Sequence, residues 1–203
     1  MKHPMKITLL SAALAIFVLP AVAQSTTPSA PVTGESVQDR KENQQDRIAN
    51  GVTSGELTAG ETAKLERKES NLNQEERDMR KLDHGKLTST DKATLNQQQN
   101  QLSKQIYQDK HNSAVENTNP RSEVGQREEN QQDRIAQGVK SGQLTPGETA
   151  KLEKQQQGIN REESGMREAN GGKLTGADKK ALNQQQNRAS RNIYNKKHNG
   201  RKQ

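Results

Sequence analysis

Residues 54–61 read Ser54-Gly55-Glu56-Leu57-Thr58-Ala59-Gly60-Glu61, and a phrase of the same form, Gly-x-Leu-Thr-x-x-acid, stands at Gly85–Asp91, Gly142–Glu148 and Gly172–Asp178. A Thr followed three residues later by an acid is the pattern of a capping box. The hydroxyl accepts from the amide of the third helical residue, and the acid reaches back to the amide of the Thr. The Gly three residues before each Thr suits the end of a preceding helix. The Leu just before the Thr can staple to the first turn, and Pro146 follows Thr145 at the helix position where a missing N–H costs nothing. Each phrase therefore ends one helix and starts the next.

The phrase belongs to a longer repeat. Glu42–Asn112 aligns without a gap on Glu129–Asn199 at an offset of 87, with 44 of 71 positions identical, so the chain contains a tandem duplication. Three helices per unit follow. They are expected near 37–53, 58–82 and 88–111, and again near 124–140, 145–168 and 175–198. Apolar residues recur at helical spacing: Leu65, Leu72 and Met79; Leu152, Ile159 and Met166; Leu95, Leu102 and Ile106; Leu182, Ala189 and Ile193; Ile48 and Val52; Ile135 and Val139. One narrow seam per helix suits a small antiparallel bundle or coiled-coil-like hairpin. The fold class expected is all-α, with two tandem three-helix units, a thin core, a flexible N-terminal leader and an inter-unit linker. The Gln- and Asn-rich remainder could alternatively signal low complexity, but caps and seams agree with each other, which favours folding.

The N-terminus reads as a secretory signal. Lys2 and Lys6 precede an apolar run from Ile7 to Leu19, Pro20 breaks it, and Ala21-Val22-Ala23 supplies small residues for cleavage after Ala23. The expected division is signal peptide 1–23, disordered leader 24–36, unit 1 at 37–112, linker 113–123, unit 2 at 124–199 and a basic tail at 200–203. The expected location is periplasmic or secreted, with no integral membrane segment after cleavage. No cysteine is present, so there is neither a disulfide framework nor a lipid-attachment thiol.

Of the 180 residues after Ala23, 22 are Leu, Ile or Val, about 12%; this lies below the ~20% typical of a packed core. The charge is uneven. Residues 24–126 carry 14 basic and 16 acidic groups, whereas residues 127–203 carry 16 and 9, so the second unit is strongly cationic. Its carriers near the end are Lys179, Lys180, Arg188, Arg191, Lys196, Lys197, Arg201 and Lys202. They form the candidate polyanion-binding set, weighed against a merely soluble cationic surface. Tyr194 is the single aromatic among them, which gives no platform for base-specific stacking.

Other chemistry is thin. No Cys, Gly-x-Ser-x-Gly, His-Glu-x-x-His or phosphate loop occurs, and adjacent acids such as Glu75-Glu76 and Glu162-Glu163 suit a solvated helix face, so no enzyme and no cofactor are expected. The four phrases match the second half of a calcium-binding EF-hand loop, with Gly at position six, Leu at eight and the acid at twelve. The first half lacks ligands: positions one, three and five hold Asn50, Val52 and Ser54; Arg80, Leu82 and His84; Gln137, Val139 and Ser141; Arg167, Ala169 and Gly171. His111 and His198 are equivalent in the repeat but have no second ligand nearby in sequence. The structural reading assigns Thr58, Glu61, Thr88, Asp91, Thr145, Glu148, Thr175 and Asp178 as helix caps.

The phrase Arg47-Ile48-x-x-Gly51-Val52-x-Ser54-Gly55-x-Leu57-Thr58-x-Gly60-Glu61, with its copy Arg134–Glu148, resembles small secreted bacterial proteins built of such tandem helical repeats. The resemblance implies export and a helical repeat and carries no activity with it. A weaker likeness to small helical periplasmic chaperones and metal-stress sensors rests on Leu-Thr-x-x phrases. The function expected is that of an exported, non-enzymatic helical repeat protein binding an envelope component, client protein or polyanion. The alternatives are divalent-cation binding through degenerate EF-hand-like loops, or a stress chaperone. The partners expected are an unknown protein or an anionic envelope component, with self-association as a further option.

Overall fold

The structure, a computed structural model, describes residues 35–116 and 121–201. The expected signal 1–23, the leader up to residue 34, residues 117–120 of the linker and Lys202 lie outside the described residues. Within them the chain is all-helical. It forms α1 (Val37–Ser54), α2 (Ala59–Leu82), α3 (Ser89–Lys110), α4 (Glu123–Lys140), α5 (Pro146–Ala169) and α6 (Gly176–Lys197), with no strand.

Thr58, Thr88, Thr145 and Thr175 are the N-caps of α2, α3, α5 and α6, each in extended backbone conformation. Each closes a capping box with the acid three residues on, Glu61, Asp91, Glu148 or Asp178. A fifth box, Ser36 with Asp39, starts α1. Its sequence lacks the Gly and Leu of the repeated phrase. Gly55 ends α1 in the left-handed region at φ 71°, a conformation that an L side chain would strain. The chain then turns so tightly that Leu57 folds back onto Gly51; a Cβ there would stand 2.7 Å from the Leu57 side chain. Gly138 and Leu144 repeat this contact in the second unit.

The two units do not stand apart. α2 packs most extensively against α5, and α1 against α4, each helix against its own copy. The backbone of α2 at Gly60 runs against Gln157 of α5, and that of α5 at Gly147 runs against Ser70 of α2. Since 60 + 87 = 147 and 70 + 87 = 157, these are one contact seen from either side. The arrangement is that of a two-fold isologous dimer built into one chain, with α2 and α5 antiparallel. One apolar cluster spans the axis, joining Ile48, Leu57, Leu65 and Ile106 of unit 1 to Ile135, Leu144, Leu152 and Ile193 of unit 2. A smaller cluster of Val124, Leu182, Ile159 and Ala189 lies under the outer half of unit 2. The narrow seams are explained by this pairing: neither unit carries enough apolar surface alone, and each completes the other's core.

That core is unusually polar. Among the described residues, 16 buried polar or charged side chains accompany 21 buried apolar ones, so its hydrogen bonds matter as much as its packing. The Gln-rich phrases are internal clasps. Gln44 donates to the Gln99 carbonyl (2.7 Å) and the Ser103 hydroxyl (2.8 Å), and Gln99 donates to the Val37 carbonyl (2.9 Å). Gln131, Ser190, Gln186 and Val124 repeat the set in unit 2. These bonds tie α1 to α3 and α4 to α6.

Candidate functional site

Those of the candidate cations that the structure describes fall on α6 and just beyond it. Lys179, Lys180, Arg188 and Arg191 are exposed, and Arg188 and Arg191 share a face. None of the ion pairs among the described residues engages these four. Their equivalents on α3 are Lys92, Ala93, Gln101 and Lys104, so the added charge lies on the solvent side of an otherwise repeated helix. Tyr194 lies at the same end of the helix, 57% exposed. Arg201 is exposed beyond the helix end.

Lys197 has a different task. Its Nζ donates to the Arg134 carbonyl (3.2 Å) and to Gln137 Oε1 (3.1 Å), so it ties α6 to the last two turns of α4. Partial burial and the neighbouring Arg134 push its ammonium below the usual lysine range. Its counterpart Lys110 is ion-paired to Glu56 at 3.2 Å, whereas unit 2 has Gln143 in place of Glu56. Lys196 is partly buried, and its charge acts on Glu148.

The acids at the twelfth position of the EF-hand-like loops are occupied. Glu61 Oε2 accepts from the Thr58 amide (3.0 Å) and hydroxyl (2.7 Å), and Oε1 accepts from Asn112 (2.7 Å). Glu148 does the same with Thr145 and Asn199. These bonds outweigh the cost of partial burial and hold both carboxyls below the usual range. Among the described residues no group of three or more His, Cys, Asp or Glu side chains is arranged to hold a metal ion. His111 and His198 close their helices instead. Each places Nδ1 2.7 Å from the carbonyl four residues back and stacks on the tyrosine there, Tyr107 or Tyr194.

A cleft of about 330 Å³ opens between the start of α2 and the outward half of α5. The residue that fills its inner wall comes from the linker. Glu116 donates its amide to the Gly55 carbonyl (3.0 Å), while its carboxylate accepts from the Ala59 amide (2.6 Å) and from Asn160. The start of α2 is thus covered by an anion of the chain itself. Unit 2 has no such donor, because Pro146 replaces Ala59.

Sequence reasoning passed over Glu66 and Glu153 and placed Glu76 and Glu163 on a solvated face, whereas the structure buries all four. Glu66 and its repeat equivalent Glu153 are completely buried, and the charge of Glu153 acts on Glu66. Gln45 donates to Glu66 at 3.3 Å and Gln132 to Glu153 at 3.1 Å. Burial pushes both carboxyls up, Glu153 to about 8. Glu76 accepts from Lys41 (3.1 Å) and Arg80 (2.8 Å), which against the cost of burial keeps it below the usual range. In unit 2 Glu128 stands where unit 1 has Lys41. Burial, and then the charge and hydrogen bond of Glu163, push Glu128 up to about 8. The signal was available in part: Glu66 and Glu153 directly follow the seam residues Leu65 and Leu152.

Among the described residues no helix is long and apolar enough to cross a membrane. Comparisons with family models, curated proteins and solved structures find no match to the chain.

Proposed function

We propose that the protein is an exported, non-enzymatic binding protein whose second unit presents the outer face of α6 to a polyanion. The observation that carries this is the contrast between α3 and α6. The two helices share their buried residues Leu95/Leu182, Gln99/Gln186 and Ile106/Ile193, while Ala93 and Gln101 are replaced by Lys180 and Arg188 on the exposed side. Buried positions answer to packing; exposed cations without an internal partner answer to something outside. The capping acids Glu61 and Glu148 at the EF-hand-like positions are engaged within the fold, so binding a polyanion through α6 suits the described residues better than calcium capture.

Binding of the mature chain to single-stranded oligodeoxynucleotide, and separately to polyphosphate, tests this across a salt series. Affinity falls with salt, with a logarithmic slope of roughly 0.7 per phosphate neutralised on a single strand. The double change Lys180→Ala and Arg188→Gln restores the α3 residues without touching the core. It lowers that slope by about one to two. A slope and affinity unchanged by the double variant would remove α6 from the interface.

A further inference from the structure

The duplication provides an internal control for every buried position, and one pair is chemically incomplete. In unit 2, Gln156 of α5 donates its amide to Gln131 Oε1 on α4 at 2.8 Å. In unit 1 the equivalents are Glu69 of α2 and Gln44 of α1. Gln44 is turned the same way as Gln131, with its amide spent on Gln99 and Ser103. Its Oε1 is buried and receives no donor, and both carboxyl oxygens of the fully buried Glu69 are without a partner. A carboxylate facing a carbonyl oxygen repels it. A carboxylic acid has one O–H to give, and it would supply the bond that the Gln156 amide supplies.

We propose that Glu69 is held as a neutral acid that donates its proton to Gln44 Oε1, so that unit 1 clasps α1 to α2 only while that proton is present. The surroundings agree. Lys41 of α1 faces Glu69 and favours its charged form, but Lys41 is already paired with Glu76. Burial favours the neutral form most, Glu76 of α2 adds to it, and together they push Glu69 up to about 7. The charge of Glu69 acts on Glu66 of the same helix, as does that of Glu153 on α5. The sign follows directly. A free carboxyl titrates near 4.5, so between that pH and about 7 the folded state holds a proton that the unfolded state has released. The clasp contributes fully below the unfolded value and is lost as pH rises through the folded one.

Two measurements on the chain from Gln24 onward test the proposal. In wild type labelled with ¹³C at the glutamate carboxyl, the Glu69 resonance, assigned through the Glu69→Gln spectrum, titrates with a midpoint above 6. In denaturation, Glu69→Gln exceeds wild type at pH 9 by on the order of 100-fold in the folding constant, and the advantage shrinks toward pH 5. A Glu69 midpoint near 4.5 would overturn the proposal. So would a Glu69→Gln variant that differs from wild type by the same factor at both pH values.

Discussion

Replacing Leu65 by Ala should unfold both halves of the molecule together. Leu65 is completely buried on α2, in the cluster that contains Leu152 and Ile135 of the other unit. Truncating a buried Leu removes its transfer free energy and leaves a cavity, at a cost of about 3 kcal/mol. Against a typical total of roughly 5–15 kcal/mol this is a large share. With a urea slope of about 2 kcal/mol per molar, the midpoint falls by about 1.5 M. Each unit carries one tyrosine, Tyr107 or Tyr194, and the chain has no Trp. Each ring stacks on the histidine that follows it, at 4.1 and 4.2 Å, so its emission reports the end of its own unit's third helix. Tyr194→Phe leaves a reporter of unit 1 and Tyr107→Phe a reporter of unit 2. In the shared core described above, Leu65→Ala shifts both reporters by the same amount. If Tyr194 reports an unshifted transition while Tyr107 reports a weakened one, the units fold independently and the two-fold pairing does not govern stability.

Two further outcomes follow from comparing the copies. His84 sits at φ 55°, where unit 2 has Gly171 at φ 62°; His84→Gly relieves a left-handed side chain and raises stability by about 1 kcal/mol, or roughly 3 °C in Tm by calorimetry. Glu128→Lys restores the residue of unit 1 opposite Glu163, as Lys41 stands opposite Glu76. Glu128 is held up at about 8, so its neutral form favours folding below that pH and its charged form opposes folding above it. The lysine variant therefore gains on wild type more at pH 8.5 than at pH 5 in urea unfolding, and an equal gain at both pH values would show that the Glu128–Glu163 pair does not hold a proton.

The helix boundaries were legible because their signals are local. A Thr, an acid three residues later and a Gly three residues before lie within one turn of the helix end they define, so reading them needs no knowledge of the remaining chain. The five boundaries marked by Thr58, Thr88, Thr145, Thr175 and Gly55 fall within a residue or two of the expected positions. The pairing of the units was not legible in the same way. A seam of Leu65, Leu72 and Met79 reports which side of α2 is apolar, not whether α3 or a second copy of α2 covers it. Glu76 and Glu163, expected on a solvated face, are buried for the same reason: Lys41 of α1 lies against the first and Glu128 of α4 against the second, and both helices approach from elsewhere in the chain. Lys197 stands among the cations of the last helix by sequence alone; only α4, which approaches from elsewhere in the chain, explains its hydrogen bonds.

Inside and outside have drifted by different rules since the duplication. Leaving aside the capping acid Glu148, which is also buried, each unit buries three carboxyls: Glu66, Glu69 and Glu76 in the first, Glu128, Glu153 and Glu163 in the second. One pair, Glu66 and Glu153, is kept at the same position on α2 and α5. A second, Glu76 and Glu163, is kept with its arginine, Arg80 or Arg167. The third has moved, from Glu69 in unit 1 to Glu128 in unit 2, and each move left a non-acidic residue in the other copy, Gln156 or Lys41. An acid beside a carbonyl or a second acid is tolerable in a dry interior only as its neutral form, so each unit holds, besides Glu66 or Glu153, one further carboxyl whose protonation its surroundings favour. The exposed face of α6 shows no such balance: it gained Lys180 and Arg188 with no acid added beside them. A buried charge must be answered within the fold, and a surface charge need not be. The unanswered cations of α6 are therefore the part of this molecule most free to be shaped by a partner, and the displaced acids the part most constrained by the core.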